Sequence, residues 1–294
     1  MPDHDFLHRF LFEHYPIRGQ LVHLDTAWRA VLEHAEYPDN IRELLGEASA
    51  ASALLAATLK FQGHLSLQLR SSGQLSLLLA QCTNGFGVRA LARHAPDAQG
   101  QSLMQLASGG QLTVILENQD EKQRYQGVVP LLGERLAQCL EVYFEQSEQL
   151  PTRLWLYADA QRASGMLLQR LPARETDDPI AVEDAWRRVQ LIGDTLQPAE
   201  LRDLSDREIL HRLFNEDDVR LFEPAPVFFR CTCSHERVTG MLLSLGRAEV
   251  ESVLGEQGRV EVRCDFCNRA YQFDAVDVGR IFAISLGGNG GKVH

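Results

Sequence analysis

His64-Leu65-Ser66-Leu67-Gln68-Leu69-Arg70 alternates apolar and polar residues, and after Ser71-Ser72-Gly73 the pattern resumes through Gln74-Leu75-Ser76-Leu77-Leu78-Leu79. Two period-two runs joined by a turn predict a β-hairpin with one buried face. Upstream, Pro38-Asp39-Asn40 opens a long helix over 41–60, rich in Ala and Leu. Before it, 21–24 reads as a short strand, and Asp25 or Thr26 as the cap of a helix through Trp28, Val31 and Leu32. Downstream, strands are expected at 88–93, 112–116 and 124–129, then a helix at 134–145 stopped before Pro151, then strands at 153–157 and 165–171. Strands gathered around a few helices without βαβ alternation predict the α+β class, with an antiparallel sheet in a mixed α/β N-terminal domain over 1–174.

After Pro172 the character changes. Residues 175–223 read as helical and carry 14 acidic against 6 basic side chains, a net of −8 out of −11 for the whole chain. Val182, Trp186, Val189 and Ile192, then Ile209, Leu210, Leu213 and Phe214, recur at spacings of three and four, which gathers them on helix faces. This stretch, 175–226, is expected to be an acidic helical linker ended by Pro224-Ala225-Pro226.

Four cysteines follow in two pairs, Cys231-Thr232-Cys233 and Cys264-Asp265-Phe266-Cys267, with thirty residues between. Tight turns let both sulfurs of a pair meet one ion, and two such pairs supply the tetrahedral thiolate set that zinc takes. One Zn2+ per chain is therefore expected on Cys231, Cys233, Cys264 and Cys267. The intervening chain reads as helices at 237–245 and 249–254 and a strand at 259–263, with 270–273 as its hairpin partner and 276–284 as a cover. A zinc-binding domain over 227–286 follows, too small for a large core, so the metal would supply much of its stability. His235 is expected in solvent or behind the ligands, and Cys82 and Cys139 as buried free thiols.

Composition excludes several classes. Three of 29 basic residues are lysines, and from Arg230 onward eight basic residues balance eight acidic ones, so no basic face for nucleic acid is expected. The acidic start has no signal-peptide pattern, and the longest low-polarity stretch, 48–59, is too short to span a bilayer; a soluble, cytoplasmic protein without membrane contact is expected. Gly287 to Val293 superficially resembles a phosphate loop but lacks the hydroxyl residue after Lys292, and 287–294 reads as a flexible tail. No catalytic constellation stands out, and no enzyme is expected. Spacing alone leaves open a purely structural zinc in a constitutive protein-binding module, a zinc-knuckle nucleic-acid adaptor, or a thiol–disulfide oxidoreductase. The last would carry one CxxC rather than two separated pairs.

The motif Cys231-Thr-Cys-Ser-His-Glu-Arg237 with Cys264-Asp-Phe-Cys267 resembles the bacterial 33-kilodalton redox-regulated heat-shock chaperones, holdases that work without ATP. Supporting segments span the chain: His4-Asp5 with Leu7-His8-Arg9, Ala57-Thr-Leu-Lys-Phe61, Arg124-Tyr-Gln-Gly-Val-Val129, Ser147-Glu-Gln-Leu-Pro-Thr-Arg153 and Gly165-Met-Leu-Leu-Gln169. The resemblance implies that the reduced, zinc-bound form is inactive. Oxidation would pair Cys231 with Cys233 and Cys264 with Cys267 and release the metal. The Cys-x-Cys ring is tight, which keeps it readily reducible. The linker would then undock through Val182, Trp186, Val189, Ile192, Leu210, Leu213 and Phe214 and bare a surface for unfolded client proteins. The resemblance further implies a monomer when reduced, a homodimer when oxidised, and hand-off of clients to ATP-dependent chaperones.

Overall fold

A computed structural model describes residues 4–100, 102–118 and 123–287. The tail expected over 287–294 lies, beyond Gly287, outside the described residues. The chain divides between Arg230 and Cys231 into two compact units.

The first unit is built from two sheets and a central helix. In chain order its elements are β1 (Phe6–Phe12), β2 (Ile17–Leu24), α1 (Thr26–Leu32), α2 (Asp39–Thr58), β3 (Gly63–Arg70), β4 (Leu75–Thr83) and β5 (Gly87–His94). Then come α3 (Leu103–Leu106), β6 (Gln111–Asn118), β7 (Gln123–Val129), α4 (Leu136–Tyr143) with a π-helical turn over Phe144–Glu148, β8 (Thr152–Ala158) and β9 (Ala163–Arg170). Helices α5 (Pro179–Gly193), α6 (Pro198–Asp203) and α7 (Asp206–Phe214) precede three short strands, β10 (Val219–Leu221), β11 (Ala225–Pro226) and β12 (Phe228–Phe229).

The first sheet runs β10-β1-β2-β9-β8, with β11 also on β1; the second runs β12-β5-β4-β3-β6-β7. All pairings are antiparallel except β12 on β5. The expected hairpin is β3–β4, with Leu67 opposite Ala80. Helix α2 packs on strands of both sheets, which explains why it is apolar nearly all round, with Leu45, Ala48, Ala51, Leu54 and Leu55 buried.

The first sheet is buried on both faces, and the pleat sorts its residues. Leu7, Val22, Leu24 and Leu167 join the core around α2, whereas Phe10, Phe12, Ile17, Leu21, Met166 and Leu168 form a second core with α5–α7. Gly19 makes room for this second core, because a Cβ there would stand 2.1 Å from the Phe10 ring.

Two expectations are corrected, and one strand was not expected. The region 175–223 is not helical throughout: Val219–Leu221 pairs with the edge of β1, Phe10 opposite Leu221. The strand β1, with buried polar His8 interrupting its apolar pattern, is absent from the sequence-based reading. Asp25 does stand at the N-cap of α1 but makes no side-chain cap bond. Asp5 does that work from a left-handed backbone position (φ 59°), its carboxylate accepting from the amides of Asp25, Thr26 and Ala27 at 2.9 Å each.

The second unit comprises α8 (His235–Leu245), α9 (Arg247–Gln257), the hairpin β13 (Val260–Arg263) and β14 (Ala270–Phe273), and α10 (Ala275–Gly287). Its core is small: Val238, Leu242, Val250, Val260, Tyr271, Phe273, Val278 and Phe282.

Candidate functional site

An irregular stretch and a turn carry the four cysteines. Cys231 and Cys233 precede α8, whose N-cap Ser234 accepts from the Arg237 amide at 3.3 Å. The Arg237 guanidinium donates to Thr232 Oγ1 at 2.8 Å, bracing the residue between the two cysteines. Cys264 and Cys267 lie in the turn between β13 and β14. There the Asn268 amide donates to the Cys264 carbonyl at 2.8 Å, and Asn268 takes a left-handed backbone (φ 52°) that Asn tolerates. This turn aims the amides of Phe266 and Cys267 at the Cys264 sulfur and that of Arg269 at the Cys267 sulfur.

The four sulfurs lie within 4.8 Å of one another, with Cys231 Sγ 3.6 Å from Cys264 Sγ and Cys233 Sγ 3.4 Å from Cys267 Sγ. A tetrahedron of metal–sulfur bonds of about 2.3 Å has edges of about 3.8 Å; the two short sulfur pairs lie within a few tenths of an ångström of that edge, and no other pair exceeds it by more than about 1 Å. The Tyr271 hydroxyl donates to Cys233 Sγ at 3.1 Å. Burial pushes the Cys264 and Cys267 thiols up. At Cys233 the same burial is outweighed by hydrogen bonds from Tyr271 and the neighbouring thiols, which bring it down to about 7. Backbone amides and a hydroxyl aimed at sulfur favour thiolates, the form a metal needs. His235 is exposed, outside the sulfur group, and its ring meets that of Phe273 at 4.9 Å, tilted by 44°. Cys82 and Cys139 are fully buried in the first unit, and burial pushes the Cys82 thiol up.

The apolar linker residues converge on the outer face of the first sheet. Trp186, Val189, Leu210, Leu213 and Phe214 are buried in the second core, Ile192 is half-buried against it, and Val182 is buried on α5 outside it. Phe214 meets Phe12 edge-on at 5.1 Å. Gly193 admits the Trp155 ring, which a Cβ would approach to 2.6 Å, while Trp155 Nε1 donates to Asp194 at 3.2 Å. Arginines of β8, β9 and the turn between them answer the acidic segment. Arg153 pairs with Asp194 at 2.7 Å, Arg170 with Glu183, and Arg162 donates to the Arg202 carbonyl at 2.6 Å. Such half-exposed pairs contribute about 0–1 kcal/mol each, so the apolar seam carries most of the packing of these helices on the sheet.

One polar cluster lies within that seam and is invisible to spacing arguments. Ser205 caps α7 in a capping box with Glu208, which presents Asp206 at the helix start. Asp206, fully buried, places Oδ2 2.5 Å from His8 Nδ1 and Oδ1 2.7 Å from His23 Nε2. His23 Nδ1 is 3.2 Å from Ser164 Oγ. Burial pushes the Asp206 carboxyl up, but the two imidazoles held against its oxygens, His23 and His8, outweigh it and hold it below the usual carboxylate range. Ser164, His23 and Asp206 follow one another in space, but with the two ring nitrogens exchanged relative to a hydrolytic triad, and Ser164 is fully buried.

A two-sheet α+β unit whose sheet carries docked helices, followed by a small four-thiol unit, defines the class of the protein: comparison with known families places it among heat-shock chaperones. The chain belongs to the Hsp33 protein family, whose model matches residues 5–274. The 33 kDa chaperonin of Methylobacillus flagellatus is 45% identical over 284 residues, and that of Nitrosococcus oceani 48% over 282, each alignment covering 96% of both chains. The crystal structure of the 33 kDa chaperonin from Thermotoga maritima shares the fold, with a TM-score of 0.80 at 22% identity over 97% of this chain and 100% of that one. A chaperonin is not a class of enzyme. Among the described residues, no helix is long and apolar enough to cross a membrane.

Proposed function

We propose that this chain is an ATP-independent holdase of the cytoplasm, switched on by oxidation of Cys231, Cys233, Cys264 and Cys267. The observation that carries the reading is the gathering of four sulfurs within 4.8 Å of one another in a unit whose core has eight buried apolar residues among those described. Bound there, one Zn2+ would tie the two segments together as a structural cross-link, worth on the order of 10 kcal/mol to such a module.

Oxidation then acts on the ligands themselves. A thiolate attacks peroxide, giving a sulfenic acid and hydroxide, and a second thiol displaces water to form a disulfide. Pairing of Cys231 with Cys233 and of Cys264 with Cys267, which the resemblance implies, leaves four sulfurs unable to serve as thiolates. The small unit loses its cross-link and unfolds.

Residues 175–226 act in this reading as the linker. Helices α6 and α7, of six and nine residues, are shorter than the roughly 12–15 at which an isolated helix is even marginal, so they persist through docking. Once they let go, Phe10, Phe12, Ile17, Leu21, Met166 and Leu168 become an apolar face for unfolded client proteins, and the segment's charge keeps it open. Dimerisation of the oxidised form and transfer of clients to ATP-dependent chaperones complete the proposal.

The test is to follow metal release and aggregation of a thermally unfolded client before peroxide, after peroxide at elevated temperature, and after reduction. Suppression restricted to the oxidised state is expected; equal suppression in all three states would sink the switch.

A further inference from the structure

Residues 219–229 finish the edges of both sheets of the first unit. Strands β10 and β11 lie on β1, and β12 lies on β5. Backbone hydrogen bonds run along its length. The Glu13 amide donates to the Asp218 carbonyl at 2.9 Å, Phe222 to Arg9 at 2.9 Å and Val227 to Asp5 at 2.8 Å. On the other sheet Phe228 donates to the Phe86 carbonyl at 3.2 Å and Arg230 to Val88 at 2.9 Å.

This cover is built to be weak. Its strands are three, two and two residues long, and Pro226 has no amide to donate. Phe222 and Phe228 stay largely exposed, at 42% and 41%. The segment also ends two residues before Cys231, so unfolding of the sulfur unit frees its C-terminal end. Without it, β1 and β5 are bare edges of two sheets. A bare edge pairs with any extended chain, because the ladder reads backbone and tolerates most side chains. A holdase that must take many sequences needs that tolerance.

We propose that the edges of β1 and β5 are the seat for an extended, apolar segment of an unfolded polypeptide, added by strand pairing in place of residues 219–229. The present occupant shows the chemistry that fits: an extended stretch with Val227 buried and Val219, Leu221 and Phe229 packed against the two cores. The proposal rests on the holdase reading and adds where and how the client is gripped.

Hydrogen exchange on the full chain tests it, with reduced, carboxymethylated lactalbumin as a permanently unfolded client. Oxidation should strip protection from 219–229, 5–13 and 87–94, and the client should restore it at 5–13 and 87–94 but not at 219–229. Residues 219–229 remaining protected in the client complex overturn the proposal. A synthetic peptide of residues 218–229 should also displace the client from the oxidised protein. Its F222P/F228P counterpart, lacking two of the donors, should bind about tenfold more weakly; equal displacement by both overturns the strand seat. Aggregation suppressed by the oxidised protein despite either negative result leaves the holdase reading standing, whereas no suppression in any state removes that reading and the proposal with it.

Discussion

His8 Nδ1 and Asp206 Oδ2 stand 2.5 Å apart across the seam between the first sheet and helix α7, joining residues 198 positions apart. With His23 on the other oxygen, the carboxylate has an imidazole partner on each side. Removing a carboxylate that two buried imidazoles share costs more than the pair ever contributed, because the partners stay buried.

Asp206→Ala should therefore destabilise the docked α7 by about 3–5 kcal/mol. Hydrogen exchange of 206–214 in the reduced, metal-loaded protein should rise sharply, and unaltered protection there would refute the role. The pH dependence has a defined sign. A lowered native pKa gives a contribution present above the ordinary carboxylate value of about 3.9 and lost as pH falls through the lowered one.

Glu47 on α2 supplies the opposite sign. It borders a cleft of about 630 Å³, and burial raises its carboxyl to about 7, with Arg135 opposing and Glu43 adding to the shift. Native stability is unpenalised below pH 4.5 and reduced as pH rises through about 7. Glu47→Gln should thus stabilise the first unit at pH 8 by on the order of 1–3 kcal/mol and do little at pH 5. Thermal unfolding at the two values checks this.

Gly193→Ala tests the seam from the other end of the helical segment. The new Cβ would press on the Trp155 ring, an overpacking cost of about 1–3 kcal/mol borne by the docked state. Oxidative activation should become faster and need less heat; unchanged activation kinetics would count against docking at this contact.

Trp186→Glu puts a charge into the second core, where Trp186 is 4% exposed. The reduced variant, still loaded with metal, should suppress client aggregation without peroxide. If it stays as inactive as the reduced parent, the helical segment does not restrain activity.

Tyr271→Phe removes the hydroxyl donated to Cys233 while keeping the ring in the core of the second unit. Zinc affinity of the reduced protein should fall by about tenfold, the usual effect of losing a partner behind a ligand. Competition with a chromophoric chelator measures it.

Much of this was legible beforehand, for identifiable reasons. The β3–β4 hairpin announced itself because Leu65, Leu67 and Leu69 face one core and their neighbours do not. The cysteine pairs were legible because each pair is local, and sequence spacing is then a spatial statement. What escaped was long-range or out of pattern. His8 breaks the alternation of β1 because its inward position is satisfied by Asp206, which no local rule reveals. Val219–Leu221 is too short to show a period and sits among acidic residues, so it read as more helix. The helical region ends at Phe214, well before Pro224 and Pro226, which were expected to stop it; Pro226 is instead an edge-strand residue, tolerated because an edge needs no further donor.

The pleat of the first sheet separates two kinds of residue within single strands. On β1, Leu7 faces the central helix and Phe10 faces the helices that follow in the chain; on β9, Leu167 and Met166 divide in the same way. Substitutions along β1, β2 and β9 should therefore alternate in phenotype, one residue governing whether the protein accumulates and the next governing when it acts. Selection can tune the threshold of response on one side of a sheet while purifying the scaffold on the other, and neighbouring codons would then carry independent histories.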